Sequence, residues 1–367
     1  MSTPTSNVQA PDQLPWDPNC ERFPSRKELP EIPGAPKDAA WVWGKDDAVS
    51  GCPFLKRFIQ DCDSNALQLG RLNLLTPARV KEAAKEIISG EMFRLDLPLH
   101  IPEAPAFGRE CFHHDIKEVV EDVVFDDTYT LNTQSSTQWD GFRHFAHLES
   151  KTFYNNVHPA TTIKTTPTTL SIHHWATHGI TSRAILLDYY TYHTTTHPAP
   201  YDPYTTHRIT LRALTLCAAS QGIDLRPVHQ GGDIRPGDIL LIRSGFVDRY
   251  HSLTPAQRGE VSRRSHEDLT FAGLSQDEDM LDWLHDCYFA AVAGDSPTFE
   301  AWPPAKEGGY MHQQILALWG MPIGEMWDLE ALAARCREVG RWGVFLTSAP
   351  ANVLGGVGSH ANATAIM

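Results

Sequence analysis

The sequence predicts a single α/β domain. Strand-like and helix-like runs are interspersed throughout the chain rather than grouped by type. The 367 residues are 41% hydrophobic and 21% charged, an ordinary balance with ample length for one sizeable core. The His/Thr/Tyr-rich stretch 190–207 reads as a long loop rather than a linker, because structured signals flank it on both sides.

Taken in order, residues 1–66 are rich in Pro, Asp, Asn and Trp. They read as an irregular arm packed on the body (67–367), since Trp16, Trp41 and Trp43 are poor choices for a free tail. Thr76 and Pro77 open a helix as N-cap and first helical residue, with Val80, Ala83, Ala84, Ile87 and Ile88 as its apolar stripe and Gly90 as its end. Residues 92–97 alternate like a strand. Residues 183–190 read as a buried strand and 210–221 as a helix ended by Gly222. The strand 238–246 follows the turn Arg235-Pro236-Gly237. Further strands fall at 288–294 and 342–347, and helices at 277–286, 311–319 and 328–339.

The net charge of −14 and the absence of a Lys/Arg-rich run argue against nucleic acid and anionic membrane surfaces as partners. No apolar run spans a bilayer, and the first residues lack the basic and apolar regions of a secretory signal. Seven cysteines, odd in number, scattered and without Cys-x-x-Cys, fit reduced thiols in a cytoplasmic protein. Cys52 and Cys62 are read as unpaired.

The chemistry concentrates in residues 133–147. If 134–140 runs extended, Gln134, Ser136, Gln138 and Asp140 share one face, with neighbours roughly 6 to 7 Å apart at Cα, close enough for two to grip one ion or substrate. Gly141 can break the strand and let His144 swing back over that face. Possible partners are Asp295, at a strand end, and His312 with Glu325, joined by one helix and a short turn. Trp139, Phe142, Phe145, Trp302 and Trp319 are candidates for an aromatic wall, each equally suited to an ordinary core. His147 is read as a hydrogen-bonded structural residue and Arg143 as pairing with a surface acid. The histidines at 173, 174, 178, 193, 197 and 207 match no compact metal motif and are read as solvated.

Five stretches together resemble one family: Asn73-Leu74-Leu75-Thr76-Pro77, Gln138-Trp139-Asp140-Gly141-Phe142-Arg143-His144, residues 235–245 (Arg-Pro-Gly-Asp-Ile-Leu-Leu-Ile-Arg-Ser-Gly), Gly294-Asp295-Ser296-Pro297-Thr298-Phe299-Glu300 and Thr347-Ser348-Ala349-Pro350. The family is the cyclase family that includes bacterial-type kynurenine formamidases and isatin hydrolases, and this chain looks like its long fungal branch. The resemblance runs from about residue 70 to the C-terminus. It implies a mixed β-sheet or barrel core flanked by helices, the swivelling β/β/α fold. It also implies a dimer or tetramer, with the arm contributing to the interface, and a small-molecule substrate of secondary metabolism.

The family signature is His-x-Gly-Thr-His-x-Asp-x-x-x-His. Here the first two histidines fall on Gln134 and Gln138, the Asp on Asp140 and the last His on His144. The resemblance makes His144 the proton shuttle, and Asp140, His312 and Glu325, with Gln138, the remaining site for one divalent ion. An amide oxygen is a harder, weaker ligand than imidazole, so the set favours Mn²⁺ or Mg²⁺ more than a His-rich site does, with Zn²⁺ also open. No organic cofactor is expected. With an ion the chain would hydrolyse an amide, lactam or lactone. Without one, Gln134 and Gln138 would bind substrate, and His144 with Asp140 or Glu325 would serve a metal-independent cyclase, dehydratase or isomerase. A non-catalytic binding protein stays open, although a dead site has no physical need for all four groups. A serine nucleophile is disfavoured, since no Gly-x-Ser-x-Gly elbow occurs.

Overall fold

The computed structural model describes residues 17–32, 34–41, 69–159, 164–165, 168–305 and 309–367. Trp16, Trp43, Cys52 and Cys62 lie outside the described residues. In chain order the strands are β1 (Met92–Arg94), β2 (His113–Val120), β3 (Val124–Thr130), β4 (Gln138–Asp140), β5 (Ile180–Leu187), β6 (Arg208–Ile209), β7 (Ile239–Ile242), β8 (Gly273–Leu274), β9 (Ala291–Gly294), β10 (Ile323–Glu325), β11 (Gly343–Ser348), β12 (Gly358–His360) and β13 (Ala363–Ile366).

A curled nine-stranded sheet, in the order β1-β13-β11-β5-β7-β9-β10-β4-β12, organises the chain. Its middle strands β5, β7, β9 and β10 run parallel. Parallel strands must be covered on both faces, and Ile239-Leu240-Leu241-Ile242 and Ala291-Val292-Ala293-Gly294 are accordingly apolar and buried along their lengths. Helices Leu211–Ser220 and Glu278–Asp286 lie in the connections between parallel strands, and Glu330–Val339 carries the chain from β10 to β11. Each carries a buried apolar stripe, such as Met280, Leu281 and Leu284. This is the mixed α/β sheet flanked by helices that the sequence predicts.

Several elements differ from expectation. The helix at Thr76 is shorter: Pro77–Ala83 tightens into a 3-10 turn, Ala84–Glu86, and Ile88 is 71% exposed, so the apolar stripe stops at Ala83. The strand at 183–190 shifts to β5, and Tyr189–Thr196 is a helix where a loop is predicted. Asp188 caps it by accepting from Thr191 N, and the hydroxyls of Thr194, Thr195 and Thr196 bond back to carbonyls of the preceding turn. Those bonds satisfy the hydroxyls within the helix. Of the nearby histidines, His193 is buried and His207 half-buried, while His197 is exposed. His193 stacks on His197 at 4.0 Å between ring centroids, and Tyr201 on His207 at 3.9 Å. Strand β7 ends at Ile242, and Phe246 begins a helix instead of finishing the strand.

The hairpin β2–β3 has no counterpart in the sequence reading. Every residue of both strands is exposed, so no buried face imposes the apolar alternation by which strands are recognised. The described part of the N-terminal segment lies on the body. Phe23 stacks on Tyr288 with centroids 4.5 Å apart, buried Arg26 pairs with Asp38, Glu278 and Asp282, and Trp41 Nε1 donates to Ala317 O.

His285 lies wholly inside this packing, against Tyr288 and Trp319. Burial, only partly offset by its contact with Asp286, pushes its imidazole down to about 4. The unfolded chain therefore binds this proton first, and the His285 contribution, intact above the unfolded value of 6.5, is lost as pH falls toward 4. Urea melts at pH 7 and pH 5 should differ by about 2 kcal/mol more in the wild type than in His285→Phe. Equal pH slopes would remove His285 as the cause.

Candidate active site

β4 alternates its side chains as a strand must. Trp139 points into the core, while Gln138 and Asp140 face the same side. β10 runs antiparallel beside it and places Glu325 directly opposite Gln138. Gln138 Nε2 donates to Glu325 Oε2 at 3.0 Å and lies 3.3 Å from Asp140 Oδ1. Its Oε1 is buried without a hydrogen bond.

His312 comes from a different layer, at the mouth of the π-helix Gln313–Leu318, whose widened turn breaks the regular ladder. Its Nε2 is 3.1 Å from Glu325 Oε1 and 3.4 Å from Asp140 Oδ2. Its Nδ1 is 2.7 Å from Glu300 Oε2, and Met311 N donates to the other Glu300 oxygen at 3.1 Å. Phe299 N donates to Glu325 Oε1 at 3.0 Å. Asp140, His312, Glu325 and Glu300 are all buried.

The charges are strongly coupled. Burial pushes Glu325 up, and the neighbouring Asp140 carboxylate adds to it, reaching about 7. Burial opposes ionisation of Asp140 too, but the His144 and His312 imidazoles hold it below the usual carboxylate range. Burial disfavours a charge on His312, yet Glu300, Asp140 and Glu325 raise it well above an ordinary histidine. His144 sits 6.4 Å from His312 between ring centroids. Burial lowers its affinity for a proton, and Asp140 only partly restores it.

This geometry sits on a known fold. Residues 93–301 match the family described as "Putative cyclase". The chain belongs to this cyclase family. A crystal structure described as a novel cyclase is similar at TM-score 0.68 and 28% identity, over 82% of this chain and 96% of that one. Isatin hydrolase A from Ralstonia solanacearum shares the fold at TM-score 0.53 and 15% identity, over 80% of this chain and 98% of that one. No curated protein matches the sequence.

One ligand atom each from Asp140, His312 and Glu325 lies within 4.8 Å of the others. Asp140 Oδ2 is buried and has no hydrogen bond. With Nδ1 committed to Glu300, His312 turns Nε2 toward both carboxylates, the arrangement by which a second carboxylate orients a metal-binding imidazole. These three residues fit a divalent ion. Gln138, the fourth ligand expected, turns Nε2 toward the carboxylates and keeps Oε1 buried without a hydrogen bond.

Other expected residues are placed as follows. Gln134 lies in a turn rather than on an extended strand, but its Oε1 still accepts from Gln138 Nε2 at 2.9 Å. Ser136 leaves the shared face and donates to Ile101 O. A Cβ on Gly358 would come 2.2 Å from Gln134 Nε2, so only glycine there lets Gln134 reach Gln138. Trp139 and Phe142 have no exposed surface. Trp139 donates to Ser348 Oγ against Trp327, and Phe142 packs between Tyr154 and Trp175. Trp319 is equally buried. Phe145 lies 5.6 Å from His312, and half-buried Trp302 packs edge-on against Phe107. Arg143 donates to the carbonyls of Thr169 and Gly355. Asp295 accepts from Ser244 and Gly245 at the end of β7, a structural use rather than a place in the site. His147 is held by Ser150.

Glu300 is the residue that sequence reasoning missed, although it closes a quoted motif. Its sequence neighbours give no sign that its carboxylate reaches His312. Glu300→Gln should weaken divalent-ion binding about 10- to 100-fold while leaving the thermal midpoint nearly unchanged in metal-free protein. Calorimetric titration of Mn²⁺ reads this, and unchanged affinity would deny Glu300 its orienting role.

Proposed function

We propose that this cyclase-family chain is a hydrolase of non-peptide amides, lactams, lactones or esters, working with one divalent ion at Asp140, His312 and Glu325. The observation that carries the reading is the convergence of those three ligand atoms within 4.8 Å, with His312 oriented from behind by Glu300. Two carboxylates and one imidazole suit Mn²⁺ or Zn²⁺, with Mg²⁺ less well matched to the nitrogen. The isatin hydrolase A that shares the fold supports hydrolysis as the reaction class.

A bound ion supplies carbonyl polarisation and a lower pKa for water. The chain's own residues supply the rest. No described residue hydrogen-bonds to the ring nitrogens of His144, and burial keeps the ring neutral. It therefore accepts the proton released as water attacks the carbonyl carbon, and returns that proton to the departing nitrogen or oxygen. Asp140 stabilises the imidazolium between those two transfers. Gln138 and Gln134 hold the carboxylates in register.

One observation favours a second reading. Gln138 Nε2 occupies Glu325 as a hydrogen-bond donor, and Glu325 titrates near 7, which suits a general acid or base. The chain would then be a metal-independent cyclase, dehydratase or isomerase pairing His144 with Glu325. A panel of formamides, lactams, lactones and aryl esters, each assayed before and after chelation, separates the two. Hydrolysis that stops on chelation and returns with Mn²⁺ is the expected result. Turnover indifferent to chelator would establish the second reading.

A further inference from the structure

A cavity of about 140 Å³ is lined by Gln134, whose Oε1 accepts from Gln138, and by Met326, the residue after Glu325. Apolar cavities of about 150 Å³ hold one benzene ring. Five aromatic residues line it, Phe107, Tyr204, Phe246, Tyr250 and Phe271, beside aliphatic ones such as Val261 and Leu269. Three guanidinium groups line it as well, those of Arg109, Arg258 and Arg264, and no carboxylate does. In a chain of net charge −14 that is a local reversal of sign.

The three arginines are positioned but poorly neutralised. Arg109 donates to Gln134 O at 2.6 Å and lies 5.1 Å from the Phe107 ring centroid. Arg264 donates to Tyr204 O at 3.2 Å and lies 5.9 Å from the Tyr204 centroid. Neither forms an ion pair among the described residues. Arg258 lies over Tyr250 at 4.6 Å and reaches only Glu103, at 3.5 Å, whose 62% exposed side chain is screened by water. Each guanidinium therefore keeps N–H donors for another acceptor, in a planar fork matched to a carboxylate.

We propose that this recess binds a carboxylate carried on a single aromatic ring or an apolar group of that size, with the substrate's reacting end at Gln134. The proposal deepens the hydrolase reading by naming its substrate class, and rests on that reading only for where the reacting end lies. Repulsion by the three guanidiniums disfavours cationic substrates. The ring walls disfavour small inorganic anions, which leave the apolar surface unfilled.

Calorimetric titration with benzoate and with its neutral isostere benzamide tests this in the full-length protein. Benzoate should bind about tenfold or more tightly than benzamide, and Arg264→Gln and Arg258→Gln should each weaken benzoate about tenfold with benzamide unmoved. Arg264 is exposed, so that variant folds normally even if Arg258→Gln does not. Equal binding of the two probes, no benzoate binding at millimolar concentration, or a benzoate affinity untouched in Arg264→Gln would each overturn the proposal. His144→Ala should leave benzoate affinity unchanged. Failure of the hydrolase reading would appear as absent hydrolysis with benzoate binding intact. Failure of the recess would appear as hydrolysis without preference for anionic over neutral substrates.

Discussion

Asp140→Ala should abolish hydrolysis, lowering kcat/KM by about a thousandfold or more, or roughly 4 kcal/mol of transition-state stabilisation. Three roles end together. Asp140 Oδ2 is the buried carboxylate oxygen without a hydrogen bond beside His312 Nε2. Its charge is what partly restores proton affinity to His144. It also accepts from Gln138, which anchors Glu325 on the neighbouring strand. Removing Asp140 leaves Glu325 without the negative neighbour that helps raise it, so its titration near 7 should fall. Asp140→Asn is the sharper variant, because it keeps the shape and removes the charge. An Asp140→Asn enzyme that keeps more than about a tenth of wild-type kcat/KM would show that the charge does not carry the chemistry.

His144→Ala should lower kcat about 10²- to 10⁴-fold, the usual range for a positioned general acid–base, with KM changed little. The ring nitrogens are bound to no described residue, so truncation leaves no buried group stranded and the fold should be unaffected. Added imidazole should restore part of the lost rate, because a cavity of the right size and polarity then faces Asp140. A protein that merely needed the His144 ring for packing would show no rescue and a lowered thermal midpoint. His144→Ala with full kcat would remove it from the mechanism.

Much of this arrangement can be read from the chain, and the limits have physical causes. Asp140, His312 and Glu325 are legible because each sits where a strand or helix begins or ends, the positions from which side chains converge across a sheet. The apolar strands β7 and β9 are legible because burial on both faces leaves a composition signal that needs no context. Gln134 and Ser136 illustrate the opposite case. Alternation over 134–140 suggests a strand, but the backbone turns through Gln134 and Ser135, where Asn132 caps it from the side. Glu300 is hidden because its importance lies in a 2.7 Å contact with a residue twelve positions away. The exposed hairpin and the Thr-rich helix Tyr189–Thr196 were illegible for related reasons. One has no buried face, and the other is a run of poor helix formers that starts on the Asp188 cap. Trp139 shows how strand alternation carries an aromatic of the motif into the core, and Phe142, in the turn beyond β4, is equally buried.

Asp140, His312 and Glu325 should together form one ion site. Calorimetric titration of Mn²⁺ and of Zn²⁺ into protein stripped with chelator, for the wild type and for His312→Ala, tests it most directly. One ion should bind per chain in the wild type, with protons released as His312 gives up its charge, and none in His312→Ala. No binding in the wild type, or one ion still bound in His312→Ala, would contradict it.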